Sequence, residues 1–465
     1  MSNSGNSNSV YGGDEINAIV LDPGSFRTRI GYAGDDFPKI ITPSYYTESV
    51  DKKRRFDDAI DYPKANQQVK PILKDSVITD WDAALEQYQY YFDDILKIDY
   101  QEQPLLITEP VWNDMEYRQN LVETFYEKFD FPALYLAKSP TCVSFQQGRP
   151  NCIVVDIGHD SVSVVPVVDG MCLLKNAVRT HYGGHYLDDQ IEDMLKVKGI
   201  QYEGKYKIKS KVPMVYPDSN YTLKDVEVTQ SFDEYQRRKV LHEFKETLLQ
   251  VPEKKLNVNN PQQNNALKEF YSQDTYKRLF ELPTGQSIEL SNERFKLADS
   301  LFDPSNYKFS TEELNKKYPS DNGELSIKGP YDDYRPLKRA RKPESTPTPA
   351  PTEDSSRARG LSQLITHVIS SVDIDLRTSV AHNIIVTGGV SLIPQLTERL
   401  YTELSNSNPG LKIRLHAIGN TNERLNQTWI GGSVLASLGT FHQMWVSKEE
   451  YKEVGPDRIL TQRFR

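Results

Sequence analysis

The chain has 465 residues, enough for two or three domains, with a hydrophobic fraction of 37% and a formal net charge of -9. That charge excludes a global electrostatic attraction to nucleic acid, and a mean hydropathy of -0.61 indicates much polar loop or insertion. No apolar run approaches the ~20 residues of a membrane span, and the three cysteines (Cys142, Cys152, Cys172) lack metal-ligand spacing, so free thiols in a soluble intracellular protein are expected.

In chain order, residues 1–10 form a Ser/Asn-rich stretch without an apolar core, read as a disordered tail. A hairpin-rich start follows, with turns at Pro23-Gly24 and Gly34-Asp35. Residues 43–80 are polar, carry the run Lys52-Lys53-Arg54-Arg55, and read as a small peripheral excursion. Asp80 is placed to cap a helix, Pro104–Thr108 reads as a buried strand and Met115–Phe129 as a helix. A second hairpin follows Cys152, and Tyr182-Gly183-Gly184-His185 leads into another helix. Residues 199–230 show no clear period; Phe232–Val251 reads as a helix, and Leu282–Gln286 as a turn between short strands. Pro, Ser, Thr, Asp and Lys dominate residues 303–360, which predicts a largely disordered insertion. An amphipathic helix from Leu361, a strand Asn383–Thr387 entering Gly388-Gly389, and an apolar helix over Trp429–Trp445 complete the chain.

One device occurs twice. Ala18-Ile19-Val20-Leu21-Asp22-Pro23-Gly24-Ser25 and Cys152-Ile153-Val154-Val155-Asp156-Ile157-Gly158-His159 are each an apolar strand, an Asp-x-Gly turn and a returning strand. A lone copy is an ordinary turn. Two copies facing each other can hold a triphosphate, with turn N–H groups on its oxygens and Asp22 and Asp156 on Mg2+, directly or through water.

These stretches, with Gly31-Tyr32-Ala33-Gly34-Asp35-Asp36-Phe37-Pro38 and the run from Trp429 through Trp445 to Gly455-Pro456, resemble the actin family. Tyr11–Glu15, Thr108–Asn113, Cys142-Val143-Ser144, Asp156–Asp160, Asp373–Arg377 and the ending Gln462–Arg465 resemble its nuclear class, the actin-related protein 4 group. The resemblance implies an α/β actin-like fold: residues 11–148 plus 425–465 as one domain and 149–424 as the other, about a nucleotide cleft. Asp22, Gly24, Ser25 and Arg29 match the first phosphate loop, with Arg29 where actin has lysine, and Asp156 and Gly158 match the second. Gly184 matches a glycine near the ribose, Lys245 and Glu246 the pair that holds adenine and ribose, and Gly388-Gly389 the adenosine loop; Lys245 and Glu246 could equally be a solvated helix pair.

The departures bear on activity. Phe26 replaces a phosphate-loop glycine, Ser139 the glutamine that orients the attacking water, Ser163 a histidine of the same water network, and His159 the loop's second aspartate. Ile393 and Leu425 replace a tyrosine and a lysine at the base. Hydrolysis requires an oriented nucleophile and a clamp on developing charge, so the expected cofactor is ATP with Mg2+, bound and little hydrolysed, in a protein that is not an enzyme. His159, His181 and His185 fit no standard zinc spacing and read as satisfied or surface histidines. Lys338, Arg339, Arg341 and Lys342 form a basic run that reads as a nuclear localisation signal, with nucleosome contact as a second use.

The resemblance implies a non-catalytic subunit of nuclear histone acetyltransferase and ATP-dependent chromatin-remodelling complexes, acting in transcription regulation and DNA repair. Its implied partners are nuclear actin, a helicase-associated helix of the scaffold or motor subunit, and histones or the nucleosome, with neither a membrane nor self-assembly into filaments. The alternatives are a filament-forming ATPase, and a sugar kinase or chaperone ATPase of the same fold.

Overall fold

The computed structural model describes residues 18–100, 102–256, 261–320, 324–325, 358–417 and 419–464. The expected tail and the basic run at 338–342 lie outside the described residues.

Two sheets carry the fold, and five strands of each repeat one topology. In the first, β1 (Ile19–Pro23) pairs antiparallel with β2 (Arg27–Tyr32), and β2 with β3 (Ile40–Pro43). On its other side β1 pairs parallel with β4 (Leu105–Glu109), and β4 with β5 (Ala133–Lys138). In the second, β6 (Cys152–Ile157) pairs antiparallel with β7 (Val162–Val168), and β7 with β8 (Val178–Thr180). On its other side β6 pairs parallel with β9 (Ile384–Thr387), and β9 with β10 (Leu415–His416). The register puts Asp22 opposite Arg29 and Asp156 opposite Ser163, so the two Asp-x-Gly turns occupy equivalent places.

The central strands β1, β4, β6 and β9 are apolar and buried without alternation because both faces of each sheet are covered there. Ile19, Leu21, Leu105 and Ile107 face one core, while Val20 and Leu106 face another built on Trp429. In the second half Ile153 and Val155 face the large core, and Cys152 and Val154 face Val143. Between the sheets lie two helices, Ser139–Gln146 and Gln427–Ser437. They touch along their backbones at Gly431, where an added Cβ would stand 1.9 Å from the Cys142 carbonyl oxygen. Trp429 Nε1 donates to the Val20 carbonyl at 3.0 Å, pinning the second helix to β1.

Several elements differ from the reading of the sequence. The helix begun at Met115 is α-helical to Glu123 and widens into a π-helical turn over Thr124–Lys128. The C-terminal apolar helix stops at Ser437: Leu438 is extended, and a 3-10 turn spans Gly439–Gln443. Residues 199–230 contain short strands, with Ile208–Lys211 paired to Tyr221–Leu223 and Met214–Val215 beside Gln286–Leu290. Disorder over 303–360 does not hold for its described ends. Phe309, Tyr318 and Ala358 belong to the large core, and Ser310 Nα donates to Asp193 Oδ1 at 3.1 Å. Two aromatic anchors in a polar stretch, Phe309 and Tyr318, explain the difference, since each buries a large apolar side chain that average composition does not register. The three cysteines are free, with Cys142 and Cys152 buried and Cys172 half-buried. Among the described residues no helix is long and apolar enough to cross a membrane.

The excursion at 43–80 is small but not isolated. Its three-stranded sheet, centred on Tyr45–Glu48, reaches across to the Gln230–Leu248 helix of the other half. Phe232, fully buried, packs on Ile60 and Val69, and Thr229 Oγ1 donates to the Gln67 carbonyl at 2.5 Å. The mouth of the space between the two sheets is therefore bridged.

Candidate functional site: the cleft between the two hairpins

Asp22, Gly24, Ser25, Arg29, Asp156, Gly158, Gly184, Lys245, Glu246, Gly388 and Gly389 all line one cavity of about 500 Å³. That is the size of a small-molecule site. The two strand-tip carboxylates differ in their surroundings. Asp22 is almost fully buried and has both oxygens engaged: Thr108 Oγ1 donates to Oδ1 at 2.5 Å, and Arg29 Nη1 to Oδ2 at 3.2 Å. The rest of the Arg29 fork crosses to the chain entering the central helix, with Nε on Asn426 Oδ1 at 2.6 Å and Nη2 on the Leu425 carbonyl at 2.7 Å. A lysine could not make all three contacts. Asp156 has no such cation; burial first, and the Asp22 charge second, push its carboxyl up to about 6. Its Oδ1 would lie 2.4 Å from a Cβ at Gly388, whose φ of +87° also demands glycine.

The turns hold their glycines for close backbone approach. The Gly184 N–H donates to the Gly158 carbonyl at 2.9 Å and the His185 N–H to the His159 carbonyl at 2.7 Å, joining the second hairpin to the helix Gly184–Val197. On the facing side the Ser76 N–H donates to Ser25 Oγ at 2.6 Å. The Phe26 ring extends across the cleft, 4.9 Å from the His159 ring and 4.6 Å from the His242 ring. Burial, aided by the Lys245 charge, holds His159 well below its usual pKa and His242 at about 3, so both are neutral at pH 7.

Lys245 is buried, and its Nζ donates to Asp188 Oδ1 at 2.8 Å and to the Gly184 carbonyl at 3.0 Å. Its positive charge lies in the cavity wall, but two of its three N–H groups hold the protein itself together. Glu246 differs: its side chain is 67% exposed, with Oε1 3.1 Å from His242 Nε2. Val390, Leu392, Ile393 and Leu425 make the opposite end of the cavity apolar.

The Actin family model matches residues 13–465. The chain belongs to the actin family. Within it, the chain is 67% identical to "Actin-related protein 4" of Debaryomyces hansenii, with 100% of both chains covered. It is 60% identical to that of Candida albicans, with 98% of each covered, and 38% identical to that of Saccharomyces cerevisiae, with 98% of this chain and 99% of the relative covered. Its place is in the actin-related protein 4 group.

Set in this family, the substituted positions have definite geometry. Ser139 begins the first central helix, and its Oγ donates to the Glu109 carbonyl at 3.1 Å. Ser163, buried opposite Asp156, and Ser139 both line the cavity, each shorter than the glutamine or histidine the family resemblance puts there. The residue set fits a nucleotide: an apolar end, glycine turns, and cations at Arg29 and Lys245. With Asp22 already bonded through both oxygens, a Mg2+ ion would draw mainly on Asp156 and water. Sequence reading did not assign Thr108, Asn426 or His242 to the site. The first two are remote partners of Asp22 and Arg29, and His242 carries a signal only as the residue one helical turn before Glu246.

Proposed function

We propose that this chain is a non-catalytic, actin-fold subunit of nuclear histone acetyltransferase and ATP-dependent chromatin-remodelling complexes. It acts as a scaffold and a histone or nucleosome contact in transcription regulation and DNA repair. ATP with Mg2+ is held between the two hairpins as a structural ligand. The observation that carries this reading is the state of the hydrolytic end of the cleft. Ser139 is committed to the Glu109 carbonyl, Ser163 stands in place of a histidine, and Phe26 fills the space beside the second phosphate loop. Hydrolysis needs a positioned water and a charge clamp, and shortened hydroxyl side chains supply neither at reach. The bridged mouth supports a ligand that is kept.

A partner helix would dock at the other end of the central helices. There Val434, Leu438, Met444 and Phe145 are each about two-fifths exposed, whereas Trp429 is fully buried and anchors the floor. Nuclear actin would share that helix. Residues 338–342 would serve import, placing the protein in the nucleus. The test is affinity purification of the full chain from nuclear extract, followed by binding to the isolated helicase-associated helix. Recovery of actin with acetyltransferase or remodeller scaffold subunits, lost in a Val434→Asp, Leu438→Asp double variant, is expected. Pelleting filaments, or a purified chain that recovers neither actin nor the helix, would contradict the proposal.

A further inference from the structure

We propose that His159, Asp160 and His185 form a binding site for a zinc-class divalent ion at the wall of the cleft. One ligand atom from each of the three lies within 4.8 Å of the others. The inference is independent of whether ATP is held.

The site is assembled by the backbone. The paired N–H to carbonyl contacts of Gly184 with Gly158 and His185 with His159 bring residues 158–159 against 184–185. Gly183 makes this approach feasible, because a Cβ there would stand 2.8 Å from the Gly158 carbonyl oxygen and 2.9 Å from that of His159. The two imidazoles then meet edge to face, with ring centroids 5.4 Å apart. Asp160 is oriented through its other oxygen, as the Asp75 N–H donates to Oδ2 at 2.9 Å, while Oδ1 lies 3.9 Å from Nε2 of His159. Asp189 stands 3.5 Å from Nε2 of His185 but already accepts from Lys317 and Tyr318.

Two imidazoles and one carboxylate form a nitrogen-rich borderline set that suits Zn2+ and excludes Ca2+ or Mg2+ as the preferred ion. Tetrahedral bonds of about 2.0–2.1 Å put ligand atoms about 3.3 Å apart, so side-chain rotation must draw the present cluster inward by about 1.5 Å at its widest. Three protein ligands leave a fourth position open. His159 and Asp160 line the cavity, so that position faces the cleft. Linear spacing does not reveal the set, because residues 159 and 185 belong to separate elements that meet only in the folded chain, through the backbone and ring contacts above.

The full chain, stripped with a chelator and dialysed, is titrated with Zn2+ alone against a chromogenic competitor, and separately with Co2+ to read visible d–d absorption. One ion per chain is expected, with His185→Asn and Asp160→Asn each weakening binding by more than about tenfold and His181→Asn, outside the set, leaving it unchanged. Absence of stoichiometric binding, or binding insensitive to both substitutions, overturns the proposal. Should the variants fail to fold, X-ray absorption of the zinc-loaded parent decides. Scattering from two imidazoles supports the site, and a shell without imidazole overturns it.

Discussion

At the scale of single residues, Asp22 and Asp156 began as equivalents and ended with different electrostatics. Asp22 is paired with Arg29 and hydrogen-bonded by Thr108, whereas the Asp156 carboxyl is pushed up to about 6 by burial and by the Asp22 charge. A carboxyl whose folded pKa exceeds its unfolded value binds a proton more tightly when folded. Its contribution to stability therefore declines as pH rises from the ordinary carboxylate range through about 6, and is constant above that. Asp156→Asn should raise the melting temperature of the nucleotide-free chain above pH 6 and converge with the parent in acid, while weakening the stabilisation given by Mg2+ with ATP. Differential scanning fluorimetry from about pH 3.5 to 8 checks both signs; an unchanged pH slope would contradict the assignment. The sequence made the two aspartates legible because four buried apolar residues followed by Asp-x-Gly are local information. It could not show that Arg29 reaches Asn426, 397 residues away, or that Thr108 bonds Asp22. These contacts exist only once the strands have been brought together.

At the scale of elements, the two central helices join the halves and the Gln230–Leu248 helix closes the mouth. The Gly431 contact leaves no room for a methyl group against the Cys142 backbone. Gly431→Ala should force the helices apart and cost about 3 kcal/mol, seen as a lower denaturation midpoint with an unchanged slope. Phe232 is a different case. It is buried between the excursion and the other half, so its loss is felt at the bridge before it is felt in either main core. Removing a buried phenylalanine costs about 3–5 kcal/mol, enough for Phe232→Ala to speed release of a fluorescent ATP analogue by more than about tenfold. Unchanged release would show that the bridge does not limit exchange. The sequence reading placed this helix, at Phe232–Val251, but it missed the helices Pro261–Tyr271 and Asn292–Asp299 that follow and the ordered ends of the polar segment. Phe309 and Tyr318 are scattered among charged residues, and their packing on the large core is a tertiary event with no local period.

At the scale of the whole molecule, the repeated sheet topology and the full-length similarity to actin-related protein 4 of several fungi place the fold beyond composition. The cleft between the two hairpins encloses a cavity of about 500 Å³ lined by Gly24, Gly158, Gly184 and Gly388 and by the cations Arg29 and Lys245. At the hydrolytic end Ser139 and Ser163 stand where the family resemblance puts water-orienting side chains, and Phe26 packs on two neutral histidines, whereas at the base end the replacements Ile393 and Leu425 leave an apolar lining. That asymmetry is the basis for reading the nucleotide as part of the structure and the outer surface as the working part. The most direct measurement is to purify the full chain in Mg2+ buffer, extract the bound nucleotide after prolonged incubation, and follow phosphate release in a single turnover. The account predicts close to one intact ATP per chain and no release above the solution background. Recovery of ADP with stoichiometric phosphate, or a chain that binds no nucleotide, would contradict it.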